Sequence, residues 1–157
     1  MTKHYLTHDE MVIEREYAAT SERVFAAFAD EDAKRVWMVG AEDELSGVEY
    51  ELDFRVGGGE RIVGEVGGHV WTYQARYEDI VDGERLVYTY YMLRDDTRIS
   101  VSATSVEFTA NDDNTTKLTL TEHGIYLDGE DKPELRFEGL SAQLDALGPW
   151  LARSAGA

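Results

Sequence analysis

Between Val48 and Tyr126 the chain alternates apolar and polar side chains in long runs. Tyr50, Leu52, Phe54 and Val56 oppose Glu49, Glu51, Asp53 and Arg55, the two-residue period of a half-buried strand. The same pattern predicts strands over Arg61–Val66, His69–Val81, Arg85–Leu93, Thr97–Ala110 and Thr115–Tyr126. Trp71, Tyr73, Ala75 and Tyr77 share one face, as do Leu86, Tyr88, Tyr90 and Met92. The breaks fall at Gly57-Gly58-Gly59, Gly67-Gly68, Asp82-Gly83, Asp95-Asp96 and Asn111-Asp112-Asp113-Asn114, all turn chemistry. Links this short predict an antiparallel meander.

The period changes at both ends of the chain. Met11–Tyr17 alternates and reads as a further strand. Thr20 or Ser21 is placed to cap a helix carrying Val24, Phe25 and Phe28. Asp30-Glu31-Asp32 opens a second short helix with Val36, Trp37 and Met38, and residues 39–47 read as a loop. From Pro133 to Leu151 the spacing is helical, with Phe137, Leu140, Leu144, Leu147 and Leu151 as the apolar stripe. Pro133 suits the first turn, and Pro149 is expected to bend the last one. The stripe needs an apolar partner, and only the sheet offers one. The expected fold is α+β: a curved antiparallel sheet of about six to seven strands around one long C-terminal helix, with two short helices after the first strand. Residues 1–157 read as one domain, with 1–10 and 153–157 loose.

Composition narrows the function. With 15 basic and 32 acidic residues the net charge is −17, which repels nucleic acid and anionic membranes. No apolar run reaches the roughly 20 residues of a membrane-spanning helix. The first ten residues lack the apolar core of a signal peptide. Zero cysteines exclude disulfides, thiolate catalysis and cysteine metal sites. Together these predict a cytoplasmic protein, a monomer or weak homodimer, with no metal and no cofactor.

Several short motifs occur in order. They are Ser21-Glu22-Arg23-Val24-Phe25-Ala26-Ala27-Phe28 with Trp37 downstream, Asp53-Phe54-Arg55-Val56-Gly57-Gly58, Glu84-Arg85-Leu86-Val87-Tyr88-Thr89-Tyr90 with Met92, Arg98-Ile99-Ser100-Val101-Ser102, Thr121-Glu122-His123-Gly124, and Leu144-Asp145-Ala146-Leu147-Gly148. Over about residues 10–152 the chain thus resembles the helix-grip fold of the START-like superfamily. Within it, the chain is similar to the bacterial branch of the family related to the activator of the ninety-kilodalton heat-shock chaperone's ATPase. It departs from that pattern where Phe137-Glu138-Gly139-Leu140 replaces the Gly-Trp pair that often opens the final helix. The resemblance implies a cavity between sheet and helix for lipids, polyketides, hormones or other apolar molecules. It implies catalysis in a minority of members, and a protein partner in the chaperone activators.

The residues themselves give an aromatic concave wall with a few polar groups. Trp37, Phe54, Trp71, Tyr73, Tyr77, Tyr88, Tyr90, Met92, Ser102 and Glu122 are the candidate ligand-binding set. Core packing accounts for many of them equally well. Glu122 is the most informative, because a carboxylate beside Leu118 and Leu120 must be paired or hold its proton. Arg98 and Arg55 are the expected partners if the role is structural. No nucleophile motif is present, and Gly57-Gly58-Gly59 precedes a strand rather than the helix a phosphate loop needs. Three functions follow: a binding protein for a small apolar or aromatic molecule, a cyclase- or dehydratase-like enzyme using Glu122, Tyr73 or Tyr90, and a chaperone-associated interaction module. A buried, mutually hydrogen-bonded Glu–Tyr or Glu–His pair in an open cavity points to the enzyme. A filled core with an exposed apolar patch points to the module.

Overall fold

The computed structural model describes residues 3–40 and 47–154. Seven strands form one antiparallel sheet: β1 (Leu6–Tyr17), β2 (Glu49–Leu52), β3 (Gly59–Val66), β4 (His69–Val81), β5 (Arg85–Arg94), β6 (Thr97–Ala110) and β7 (Thr116–Leu127). The spatial order is β1-β7-β6-β5-β4-β3-β2, a meander whose first strand returns beside its last. Among the described residues there are three α-helices: α1 (Ser21–Ala29), α2 (Glu31–Lys34) and α3 (Pro133–Ser154). A single π turn, Arg35–Val39, continues α2.

Sequence chemistry fixes the element ends. Thr20 Oγ1 accepts from the Arg23 amide and starts α1, and Asp30 Oδ1 accepts from the Asp32 amide and starts α2. Register shifts at Tyr77/Asp79 and Met92/Leu93 break the β4–β5 and β5–β6 ladders, the kind of irregularity that bends a strand. The second shift buries Ile99 and Ser100 together on β6, where strict alternation would bury one of them. Leu144, Leu147 and Leu151 of α3 are buried with Val24, Phe28, Leu86, Val106 and Leu118 in one core. Tyr17 ties β1 to the helix, its hydroxyl donating to the Leu144 carbonyl at 2.7 Å.

Several boundaries differ from the pattern. β1 begins at Leu6 rather than Met11, so residues 6–10, expected to be loose, pair with residues 123–127 of β7. Their side chains are mostly polar, which hides a strand held by backbone pairing. β2 ends at Leu52 instead of reaching Val56. Asp53–Gly58 closes on itself through Arg55 N to Asp53 O and Gly58 N to Arg55 O, leaving Val56 exposed. A side chain at Gly58 would lie 2.2 Å from the Asp53 carbonyl oxygen, so this turn requires glycine. α3 continues through Pro149 to Ser154, so Arg153 and Ser154 are helical. Of the expected 39–47 loop, residues 41–46 lie outside the described residues, as do 155–157. Phe137, assigned to the buried stripe, is 44 % exposed; Arg136 takes the inward position.

Candidate functional site

A cavity of about 560 Å³ lies between the concave sheet and α3. Sheet strands contribute Ile62, Gly64, Trp71, Tyr73, Tyr88, Tyr90, Met92 and Leu120. The α1–α2 region contributes Phe28, Lys34 and the π-turn residues Trp37, Met38 and Val39. The helix adds Leu135, Arg136, Gly139, Leu140, Gln143 and Leu144. The π turn is anchored from within, since Trp37 Nε1 donates to the Ala27 carbonyl at 2.8 Å and its ring packs 4.8 Å from Phe28.

Of the candidate set, Trp37, Trp71, Tyr73, Tyr88, Tyr90 and Met92 line this cavity. Phe54 and Tyr77 stand apart in an aromatic cluster, with Phe54 5.7 Å from Phe25 and 5.1 Å from Tyr77. Ser102 and Glu122 lie behind the wall, reached through Tyr90 and Arg136. Tyr73 and Tyr90 are neighbours on the wall, ring centroids 4.7 Å apart.

Two buried polar clusters support the lining. In the first, Tyr90 Oη and Thr104 Oγ1 each donate to Glu122 Oε1 at 2.8 Å. Arg136 Nη1 donates to Tyr90 Oη at 2.8 Å, and Nη2 to Ser100 Oγ at 2.8 Å and to Asp131. Its guanidinium sits 5.4 Å from the rings of both Tyr90 and Tyr126. A side chain at Gly124 would come within 2.8 Å of the Tyr126 ring, so the glycine makes room for that stacking. Among the described residues Glu122 Oε2 has no hydrogen-bond partner, and it lies 3.8 Å from Arg136 Nη1, an ion-pair contact beyond hydrogen-bond reach. The cation beside Glu122 is therefore Arg136. The expected Arg55 bonds Asp53 at the surface, and Arg98 stacks 4.1 Å over Tyr91.

In the second cluster, Lys34 Nζ donates to Glu60 Oε1 at 2.9 Å and to Tyr77 Oη at 3.2 Å. Tyr50 Oη donates to Glu60 Oε2 at 2.6 Å. Burial alone would lower the Lys34 ammonium; the Glu60 charge and Tyr77 outweigh it, so the net shift is upward and the cation persists.

Arg136, Lys34 and Glu60 were missed in the sequence. Arg136 could have been found: counting back from Leu151 through Leu147, Leu144 and Leu140 reaches 136 as readily as 137. A buried Glu122 asks for a cation on that stripe. Glu60 sits one residue before the predicted strand, and Lys34 on a short helix resembles an ordinary surface residue.

Burial pushes the Glu122 carboxyl above its usual range, against the opposing pull of Thr104, Tyr90 and Arg136. A raised folded value means the folded state holds its proton longer than the unfolded chain. This contribution to stability therefore falls as pH rises above about 4.3, the unfolded carboxyl value. Glu122→Gln keeps an acceptor for Tyr90 and Thr104 and removes the charge. The stability difference between variant and wild type should shift in the variant's favour from about pH 4 to pH 7. Denaturant melts whose difference stays constant across this range would mean that the Glu122 carboxyl is not raised in the folded state.

A curved antiparallel sheet gripping a C-terminal helix over an apolar cavity defines a helix-grip, START-like protein. The family model described as Activator of Hsp90 ATPase homolog 1-like protein matches residues 18–151, and the chain belongs to this family. An uncharacterized protein from Rhizobium leguminosarum is 38 % identical, with 97 % of this chain and 99 % of that chain covered and a TM-score of 0.90. The Mll3558 protein from Rhizobium loti is 39 % identical over 93 % of this chain and 99 % of that one, with a TM-score of 0.86. PFC0360w from Plasmodium falciparum, an HSP90 activator, shares the fold at 23 % identity over 72 % of this chain and 71 % of that one, with a TM-score of 0.52. No curated protein matches. Among the described residues no helix is long and apolar enough to cross a membrane.

Proposed function

We propose that this protein binds a small apolar, aromatic or lipid-like molecule in the cavity under α3. The carrying observation is the cavity itself: about 560 Å³, walled by Trp37, Trp71, Tyr73, Tyr88, Met92 and Leu140, with a few fixed polar groups. Space on this scale suits a molecule of two or three rings or a short acyl chain. The protein acts in the cytoplasm as a monomer or weak homodimer. The neutral fluorophore N-phenyl-1-naphthylamine should bind the folded protein saturably with micromolar affinity, quenching tryptophan emission from Trp37 and Trp71. Binding seen only near the melting temperature would replace this reading with a packed interior and a protein-docking role, the chaperone association that the family description suggests.

The Tyr90–Glu122 hydrogen bond supports a second reading, a cyclase- or dehydratase-like enzyme. Tyr90 lines the cavity, and burial first, then Glu122, raises its phenol far above the usual range, so it remains an O–H donor. Native mass spectrometry of the freshly purified protein separates the two. A carrier returns its captured molecule unchanged on re-addition. An enzyme returns a dehydrated or ring-closed product, and Tyr90→Phe abolishes the change.

A further inference from the structure

Among the described residues, the charged ones on the cavity lining are Lys34, Arg136 and Asp131. Asp131 is taken, because Arg136 Nη2 donates to it directly. Glu60, the counter-charge of Lys34, is not on the lining, and both of its oxygens are engaged, one by Lys34 and one by Tyr50. An ammonium has three N–H donors. Among the described residues Lys34 Nζ has two acceptors, Glu60 Oε1 and Tyr77 Oη. The Phe28 and Tyr77 rings, 5.7 and 5.8 Å from Nζ, cover the ammonium but offer no lone pair. A residue only 3 % exposed thus reaches the cavity wall with one donor unspent. Counted over the described residues, the lining is net positive inside a chain of net charge −17. An unspent buried N–H is costly unless an acceptor meets it.

We infer that the cavity's ligand carries one anionic oxygen group, a carboxylate, enolate or phenolate, that accepts a hydrogen bond from Lys34 Nζ, while its apolar body lies against the aromatic wall. This rests on the cavity being a binding site. The ligand's oxygen completes the ammonium's third bond, and the apolar body displaces water from Tyr73, Tyr88 and Met92. A cationic ligand would meet two like charges on the lining.

Three probes of one shape test this: 2-naphthoate, 2-methylnaphthalene and 2-naphthylmethylammonium, titrated into the full chain at one ionic strength. Naphthoate should bind at least about tenfold more tightly than methylnaphthalene, the usual gain from a charge-assisted hydrogen bond, and the ammonium compound more weakly than either. On adding naphthoate, the Lys34 side-chain amine resonance of 15N-lysine protein should shift, while those of Lys3, Lys117 and Lys132 stay in place. The charge-balanced pair Lys34→Met/Glu60→Gln should keep methylnaphthalene binding and lose the naphthoate preference. Equal binding of naphthoate and methylnaphthalene by wild type overturns the inference and leaves the cavity reading intact. Preference without a Lys34 shift, or preference surviving in a folded double variant, overturns it in favour of Arg136. Failure of all three probes to bind overturns both readings.

Discussion

Lys34→Met should cost about 3–5 kcal/mol of folding stability, the usual consequence of leaving a buried partner charge alone. The side chains of Lys34 and Glu60 are 4 % and 1 % exposed, so water cannot take over the solvation of Glu60 once the ammonium is gone. Tyr50 would still donate to Glu60 Oε2, but one neutral donor does not offset a full buried charge. The double variant Lys34→Met/Glu60→Gln should recover much of the loss, because it removes both charges and keeps an acceptor for Tyr50. Urea melts of the wild type, the single and the double variant give the comparison. A single variant within about 1 kcal/mol of wild type would mean that Glu60 is hydrated or protonated in the folded state.

Leu147→Ala is the second large effect, expected at about 2–5 kcal/mol. Leu147 is fully buried on α3, in the core formed with Val24, Leu86 and Leu118. Truncation leaves a hole bounded on one side by the sheet, which is hydrogen-bonded across its whole width and cannot collapse inward. Phe137→Ala is the contrast within the same helix: an exposed side chain whose loss should shift stability by less than about 0.5 kcal/mol. Similar costs at both positions would place α3 in a different rotation from the one described.

The contrast between these two positions also shows what the sequence could carry. Alternation from Ser100 to Phe108 of β6 was legible to the residue, because that stretch buries one face and solvates the other, whereas the register shift that buries Ile99 beside Ser100 was not. The helix was legible in place and length, but its rotation was not. Residues 136 and 137 both continue the leucine spacing, and hydropathy favours phenylalanine over arginine. The choice was made by Asp131 just before the helix and by partners far away in sequence, Ser100 on β6, Tyr90 on β5 and the carboxylate of Glu122 on β7. The same is true of Lys34 and Glu60, which no local pattern joins. Glu122 could be read as anomalous, because it breaks an apolar face, but its neighbours could not be read from the strand alone. Polar clusters assembled from four or five elements leave single odd residues in a sequence and reveal their wiring only in three dimensions.

If the space under α3 is a binding cavity, filling it must block binding. Met92 lines it from β5 and Gly139 from α3. At Gly139 an added Cβ meets nothing within 4 Å, and replacing glycine inside a helix by tryptophan gains about half a kcal/mol of intrinsic propensity. The measurement is N-phenyl-1-naphthylamine titration of wild type, Met92→Trp and Gly139→Trp, each checked for an intact thermal transition. Wild type should bind saturably, both variants should bind at least tenfold more weakly, and Gly139→Trp should melt no lower than wild type. Undiminished binding by both folded variants would contradict a binding cavity under α3.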